Sequence, residues 1–161
     1  MTHSDHQDTS PDHSNADWSI QPAGWRDFTQ LNQLEKLCFN HEDAWPFWDL
    51  IGTLTFPGYV RLKIEVDERM VGFISGEQQP DKRCGWVTSL AVHPAYRRRG
   101  MAQALLQACE AALAQPTIRL SVRASNQVAI SLYVSAGYKL VDQWRKYYAG
   151  GESALVFEKR R

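Results

Sequence analysis

The 161-residue sequence has three cysteines, no long apolar run and no net charge, because eighteen Lys and Arg balance eighteen Asp and Glu. Each absence excludes something. Zero net charge removes the basic excess with which a protein grips nucleic acid or an anionic membrane surface. No segment approaches the roughly 20 consecutive apolar residues needed to span a bilayer. The first residues carry acids, polar groups and histidines but no basic head and apolar centre, so they do not read as a secretory leader. Cys38, Cys84 and Cys109 are odd in number, far apart and form no Cys-x-x-Cys pair. That pattern points to reduced thiols in a cytoplasmic setting, with neither disulfides nor a zinc site. No metal is expected.

What is present is an ordinary globular composition, 43% hydrophobic and 22% charged. A chain of this length forms one domain that buries roughly two-thirds of its unfolded surface. Residues 1–17 are rich in Ser, Asp, His and Asn and almost free of apolar side chains. Such a stretch buries too little surface to offset its ordering entropy and is expected to be a disordered tail. His3, His6 and His13 are read there as solvated groups, not ligands. The folded domain is expected over residues 18–161.

Within it, Ile20 reads as a short strand, and Asp27 followed by Gln30 has the form of a capping box. The next helix carries Phe28, Leu31, Leu34 and Cys38 on one face. Residues 39–56 are aromatic and acidic and mix loop with short helix. Apolar runs at 59–66 and 70–76 flank Asp67-Glu68-Arg69 as a hairpin. A polar turn at 78–85 precedes a strand at 86–92. The helix over 101–114 sets Ala102, Leu105, Leu106, Cys109, Ala112 and Leu113 in one stripe, with Gln103, Gln107 and Glu110 toward water. Pro116 ends it. A strand at 118–122, a helix at 127–136 closed by Gly137, and an antiparallel pair at 138–148 and 154–159 follow. The predicted order is β-α-α-β-β-β-α-β-α-β-β, an α+β domain with a crossover helix after the fourth strand.

The most informative stretch is Leu90-Ala91-Val92-His93-Pro94-Ala95-Tyr96-Arg97-Arg98-Arg99-Gly100-Met101-Ala102. A strand runs into a loop that opens a helix, where unpaired N–H groups and the positive end of the dipole attract an anion such as pyrophosphate. Gly100 and Ala102 let a phosphate approach the backbone. Arg97 to Arg99 alone read first as a solvated charge run; the Gly-x-Ala and the helix after them favour anion binding. No Gly-Lys-Ser/Thr follows, so this is not an NTPase P-loop. His93, before Pro94, reads as a turn residue.

These segments together resemble the GNAT superfamily of acyl-CoA-dependent N-acetyltransferases. The family signature, Arg or Gln, two residues, Gly, one residue, then Gly or Ala, stands here as Arg97-Arg98-Arg99-Gly100-Met101-Ala102. A second block, Leu120-Ser121-Val122-Arg123-Ala124-Ser125-Asn126, with Ala129-Ile130-Ser131-Leu132-Tyr133 and Ala136-Gly137-Tyr138, is similar to the branch that acetylates the N-terminal alanine of a ribosomal protein. Trp144-Arg145-Lys146-Tyr147-Tyr148 looks like that branch's Tyr-Tyr ending, and the likeness spans about residues 18–159. It implies a mixed, mostly antiparallel sheet, splayed between strands four and five, with helices on both faces. It implies acetyl-CoA as co-substrate, held by Leu90, Ala91 and Val92 and, at the pyrophosphate, by Arg97, Arg98, Arg99, Gly100, Met101, Ala102 and Gln103. Asn126 would bind the cofactor arm and Tyr133 would lie near its sulfur.

Acetyl transfer needs a neutral amine, a polarised carbonyl, a proton for the leaving thiolate, and alignment, which alone supplies ~7–11 kcal/mol in well-oriented systems. The resemblance makes Tyr133 the general acid, although its helix face, shared with Ile130 and Ala136, also suits core packing. Asn126 equally suits the start of a helix. The family's base positions hold Ser121 and Trp86, neither of which takes a proton at neutral pH. Glu77, through water, or a water chain past Ser121 are the remaining routes. A peptide α-amine titrates near ~7.7–8.0 and Lys near ~10.4, roughly 3.5 kcal/mol apart in supplying the neutral nucleophile. A weak base therefore favours an α-amine. Tyr147 and Tyr148, with Phe39, Trp45 and Trp48, are candidate walls for a peptide terminus; helix packing is the other reading of Trp45, Phe47 and Trp48. The leading function is acetylation of a protein or peptide N-terminus, by a monomer or homodimer. A small-amine acetyltransferase, for which the Glu42-Asp43 pair leaves room, and a non-catalytic acyl-CoA sensor are the alternatives.

Overall fold

The computed structural model describes residues 18–40, 43 and 46–161. The expected tail with its three histidines, and also Glu42 and Trp45, lie outside the described residues. The elements in chain order are β1 (Ile20–Pro22), α1 (Phe28–Cys38), α2 (Phe47–Thr55), β2 (Tyr59–Val66), β3 (Arg69–Gln79), β4 (Cys84–Val92), α3 (Met101–Leu113), β5 (Thr117–Arg123), α4 (Gln127–Ser135), β6 (Lys139–Trp144) and β7 (Ala154–Arg160). Their types and order agree with the sequence reading. The strands form one seven-stranded sheet, β1-β2-β3-β4-β5-β7-β6. Every pair is antiparallel except β4 with β5, which is parallel because α3 carries the chain back across the sheet.

Local chemistry sets the corners. Asp67 and Glu68 both take positive φ (50° and 62°), the two-residue turn whose twist matches a hairpin, between the paired Val66 and Arg69. Gly137, at φ 92°, closes α4: its N–H donates to Val134 O and that of Tyr138 to Tyr133 O, a Schellman ending. The polar turn predicted at 78–85 is shorter than expected. β3 runs on to Gln79 and β4 starts at Cys84, leaving one 3-10 turn, Pro80–Lys82.

Two expectations are corrected. Asp27 and Gln30 do not cap α1, which has no side-chain cap. Asp27 instead accepts from the Gly24 N–H (2.8 Å) and from Lys63 Nζ (2.6 Å), while Gln30 Oε1 accepts from the Met70 N–H (2.6 Å). Both side chains dock the helix onto β2 and β3. Glu110 does not face water; it is buried, accepting from Tyr138 Oη and Lys159 Nζ, each at 2.8 Å. A charged partner and a phenol from two other elements make that position the interior side of α3.

The sheet has two cores. Leu31 and Leu34 of α1 with Leu50 and Leu54 of α2 pack on Met70, Phe73 and Ala91. On the opposite face α3 buries Met101, Leu105, Leu106, Cys109 and Leu113 against Ile64, Ile74, Val87, Ile118 and Leu120. β3 comes close to α3 because Gly76 has no side chain; a Cβ there would lie 3.0 Å from Cys109 Sγ and from Leu113 Cδ1. Overpacking of this kind costs about 1–3 kcal/mol. Gly76→Val is therefore expected to lower the unfolding free energy by that much, read as a fall in the urea midpoint. Gly24→Ala, where a Cβ meets nothing within 4 Å, is expected to leave the midpoint unchanged.

Candidate functional site between the diverging strands

The parallel ladder between β4 and β5 is short. It joins Cys84 to Thr117, Gly85 to Ile118, Trp86 to Arg119 and Val87 to Leu120, and then stops. Beyond that point Ser121–Arg123 pair with β7 and Ser89–Val92 with β3. The strands part, and a cavity of about 540 Å³ fills the wedge, lined by Thr88, Ser89, Leu90, Ser121, Tyr133 and Tyr148 among others. A bulge starts the divergence. Ser75 pairs with Ser89 but Gly76 with Val87, leaving Thr88 extra, its hydroxyl 2.8 Å from Ser75 Oγ.

Backbone alternation decides which groups this edge offers. The His93 N–H donates to Val71 O on β3. In an antiparallel ladder Ala91 and Ser89 then point the same way, and Leu90 and Val92 point toward the parted β5. Val92 O is already taken, by Arg97 Nε (3.1 Å) and Cys38 Sγ (3.4 Å). Among the described residues Leu90 keeps a free edge. Ala91, expected among the cofactor contacts, turns its backbone into the ladder and buries its side chain against α1.

At the tip of α3, Arg98 and Gly100 take positive φ (63° and 78°). The first intrahelical bond runs from the Ala104 N–H to Gly100 O. The N–H groups of Met101, Ala102 and Gln103 are thus left pointing out of the helix end, without a side-chain cap. Met101 is buried, so only its backbone faces outward. Arg99 donates to Ala95 O and lies over the Tyr96 ring, while Arg98 has no side-chain bond among the described residues. His93 Nδ1 accepts from the Ala95 N–H (3.1 Å), which makes it the turn residue expected.

Tyr133, 7% exposed, both lines the cavity and packs in the core, edge-on to Tyr138 and tilted to Phe157. Burial pushes its phenol up to about 12, with Tyr148 adding to the shift. Asn126 Oδ1 accepts from the Ala129 N–H at the start of α4, and the residue also lines the cavity. Arg123 ties the mouth together, pairing with Asp43 before α2 and with Glu152 (2.8 Å) before β7, its guanidinium 4.2 Å from the Tyr148 ring centre. Phe39 and Tyr147 also line the cavity.

Other candidates lie elsewhere. Glu77 is not among the cavity-lining residues; it sits across from Tyr59 and Trp86 and accepts from Gln79 Nε2 (3.2 Å). Trp86 is stacked on Trp144, rings 5.8 Å apart. Trp48 is 76% exposed on α2 and does not reach the cavity, and Trp45 lies outside the described residues.

The Acetyltransferase (GNAT) family matches residues 25–138. The chain is a member of the GNAT acetyltransferase family. It is 35% identical over 147 residues to the catalytic subunit of the N-terminal acetyltransferase A complex of Arabidopsis thaliana, covering 87% of this chain and 76% of that protein. It is 32% identical to an N-alpha-acetyltransferase of Sulfurisphaera tokodaii, over 87% of this chain and 91% of the relative. The crystal structure of the ribosomal-protein-S18-alanine N-acetyltransferase from Escherichia coli superposes with a TM-score of 0.79 at 25% identity, covering 89% of this chain and 93% of that one. The chain is accordingly an acyl-CoA-dependent N-acetyltransferase, with acetyl-CoA as co-substrate.

One feature of this GNAT domain escaped the sequence reading. Glu35 is 1% exposed; Ser89 Oγ donates to its Oε1 (2.9 Å), and Oε2 has no partner among the described residues. Burial raises its pKa from 4.5 to about 7, with the Ser89 hydrogen bond pulling the other way. The signal was available: Leu31, Leu34, Glu35 and Cys38 fall at i, i+3, i+4 and i+7, so a carboxyl sits inside the apolar stripe. Its consequence for stability has a definite sign. A carboxyl that holds its proton more tightly when folded stabilises the fold below about pH 4.5 and loses that contribution as pH rises to about 7. The loss is about 3 kcal/mol at most. Glu35→Gln is expected to flatten this fall in urea midpoints between pH 4.5 and 8.

Proposed function

We propose that this GNAT domain transfers the acetyl group of acetyl-CoA to the N-terminal α-amine of a protein or peptide. The observation that carries the reading is the wedge itself. One side offers the open Leu90 edge and the outward N–H groups at the tip of α3; the other side opens between Tyr133, Tyr147 and Tyr148, the last of them against the Arg123 guanidinium. The names of the curated relatives, N-terminal and N-alpha acetyltransferases, support the choice of acceptor.

The residues fit acetyl-CoA on the structure's own terms. At Gly100 the left-handed φ needs no side chain, and the N–H groups of Met101, Ala102 and Gln103, with Arg98 and Arg99 beside them, suit a pyrophosphate. Leu90, with Val92 next along the edge, would bond the pantetheine arm like an added strand, and Asn126 would contact it from α4. Acetyl-CoA supplies the thioester carbonyl that the amine attacks. The Leu90 N–H polarises that carbonyl. Tyr133, protonated throughout the neutral range, gives its proton to the departing thiolate. Tyr147 and Tyr148 grip the peptide terminus, and Ser121 lines the cavity beside them.

Asp43, the acid at the mouth, is neutralised by Arg123. No unpaired carboxylate lines the cavity among the described residues, which counts against a polyamine acceptor. The three free thiols support a reducing, cytoplasmic location.

Tyr133→Phe is expected to lower kcat by about 10²–10⁴-fold, measured as CoA release, while calorimetric affinity for acetyl-CoA stays unchanged. A free-N-terminus peptide should turn over faster than a matched peptide offering only lysine. Tight acetyl-CoA binding with no turnover on any amine would overturn the enzyme reading, and a lysine preference would overturn the α-amine.

A further inference from the structure

We propose that Glu35, acting through the Ser89 hydroxyl, receives the proton that the acceptor amine gives up. The inference rests on the N-acetyltransferase reading of the cavity and supplies what that reading lacks, since Ser121 and Trp86 hold the positions from which related enzymes draw a base and Glu77 lies outside the cavity. Ser89 lines the wedge beside the bulge at Thr88, and its Oγ donates to Glu35 Oε1 at 2.9 Å. Glu35 touches no substrate; it is a positioning residue that makes Ser89 a proton conduit.

The environment of Glu35 is not that of a structural carboxylate. A buried carboxylate in a structural role has both oxygens satisfied by donors or a cation. Glu110 on α3 shows that solution in this same fold, with Tyr138 and Lys159 on its two oxygens. Among the described residues Glu35 has one hydroxyl and no cation, and Oε2 has no partner. Packed against α1, β3 presents Phe73 and Ser75, β4 presents Ser89 and Ala91, and α2 presents Leu50 and Leu54, none of them charged. The titratable groups nearby are the Cys38 thiol one turn along α1, with Arg97 beyond it, and Asp27 at the other end of the helix, neutralised by Lys63. The carboxyl therefore exchanges its proton near pH 7, the range that suits a proton acceptor. The amine enters neutral: at pH 7 about one in ten α-amines titrating at ~8, and fewer than about one in a thousand lysines titrating at ~10.4, is in that form.

The step balances. As the N–C bond forms, the amine's proton passes to Ser89 Oγ and the hydroxyl's own proton passes to Glu35 Oε1. The C–S bond breaks and the thiolate takes the proton of Tyr133. The proton on Glu35 then restores the Tyr133 phenol through solvent, so the amide and the thiol form with no net gain or loss.

The test uses the full chain, with Glu35→Gln, Ser89→Ala and the double variant, an α-amine peptide and acetyl-CoA. Expected are a kcat loss of about 10²-fold in each single variant, no further loss in the double, and unchanged calorimetric acetyl-CoA affinity. Below pH 7 the slope of log kcat/KM against pH should fall from two in the wild type to one in Glu35→Gln, leaving only the amine's own titration. A ¹³C NMR titration of the protein alone, the Glu35 carboxyl assigned by its loss in Glu35→Gln, should show a midpoint near 7. Should Glu35→Gln not fold, Ser89→Ala and the wild-type titration still decide. Wild-type kinetics and slope in either variant, or a midpoint near 4, would overturn the proposal. Absence of turnover in the wild type, with the midpoint near 7, would instead count against the N-acetyltransferase reading.

Discussion

The wedge in this domain depends on where the parallel ladder between β4 and β5 ends. Four residue pairs hold the strands together, and past Val87 and Leu120 each turns to its other neighbour. A sheet that stayed zipped would satisfy Leu90 from β5 and leave no wedge. The bulge at Thr88 adds one residue to β4 and none to β3, bending the strand where pairing fails. Two separate cores make the opening affordable: α1 and α2 cover one face and α3 packs the other, so neither relies on the missing pairs.

The site is also a contrast between two buried acids. Glu110 and Glu35 occupy interior faces of helices on opposite sides of the sheet. The first has a cation and a phenol and holds α3 to β7 and to the chain after α4. The second has a serine from the cavity wall. Burial opposes charge in both, and the donors present decide whether the carboxyl is a strut or a group that still exchanges protons. At the mouth, Arg123 joins two loops that share no strand pairing and stacks on Tyr148, so this wall of the cavity is held by charge more than by packing.

Much of this was legible in the sequence. The α3 stripe, the Gly137 ending and the Asp67-Glu68 turn each rest on local periodicity or backbone preference, and the element order followed. The helix end at Arg97 to Gln103, with its left-handed Gly100, was legible for the same reason, since it lies within one segment. What was not legible depends on distant partners. Gln30 prefers the Met70 N–H to its own helix end, Glu110 finds Lys159, and Ala91 points into the ladder instead of the wedge, all through pairings far apart in the chain. Glu35 is the intermediate case: its place in an apolar stripe was visible, but not the serine that gives it meaning.

The central claim, that the open edge of β4 and the tip of α3 form one continuous acetyl-CoA site, is tested most directly by a backbone amide NMR titration with acetyl-CoA. Shifts are predicted to concentrate at Leu90 and Val92, at Gly100 to Gln103, and along the first turns of α4 from Asn126. Saturable shifts confined elsewhere, for example to the basic groove of Lys82, Arg83 and Arg119 at the far end of the sheet, would contradict it.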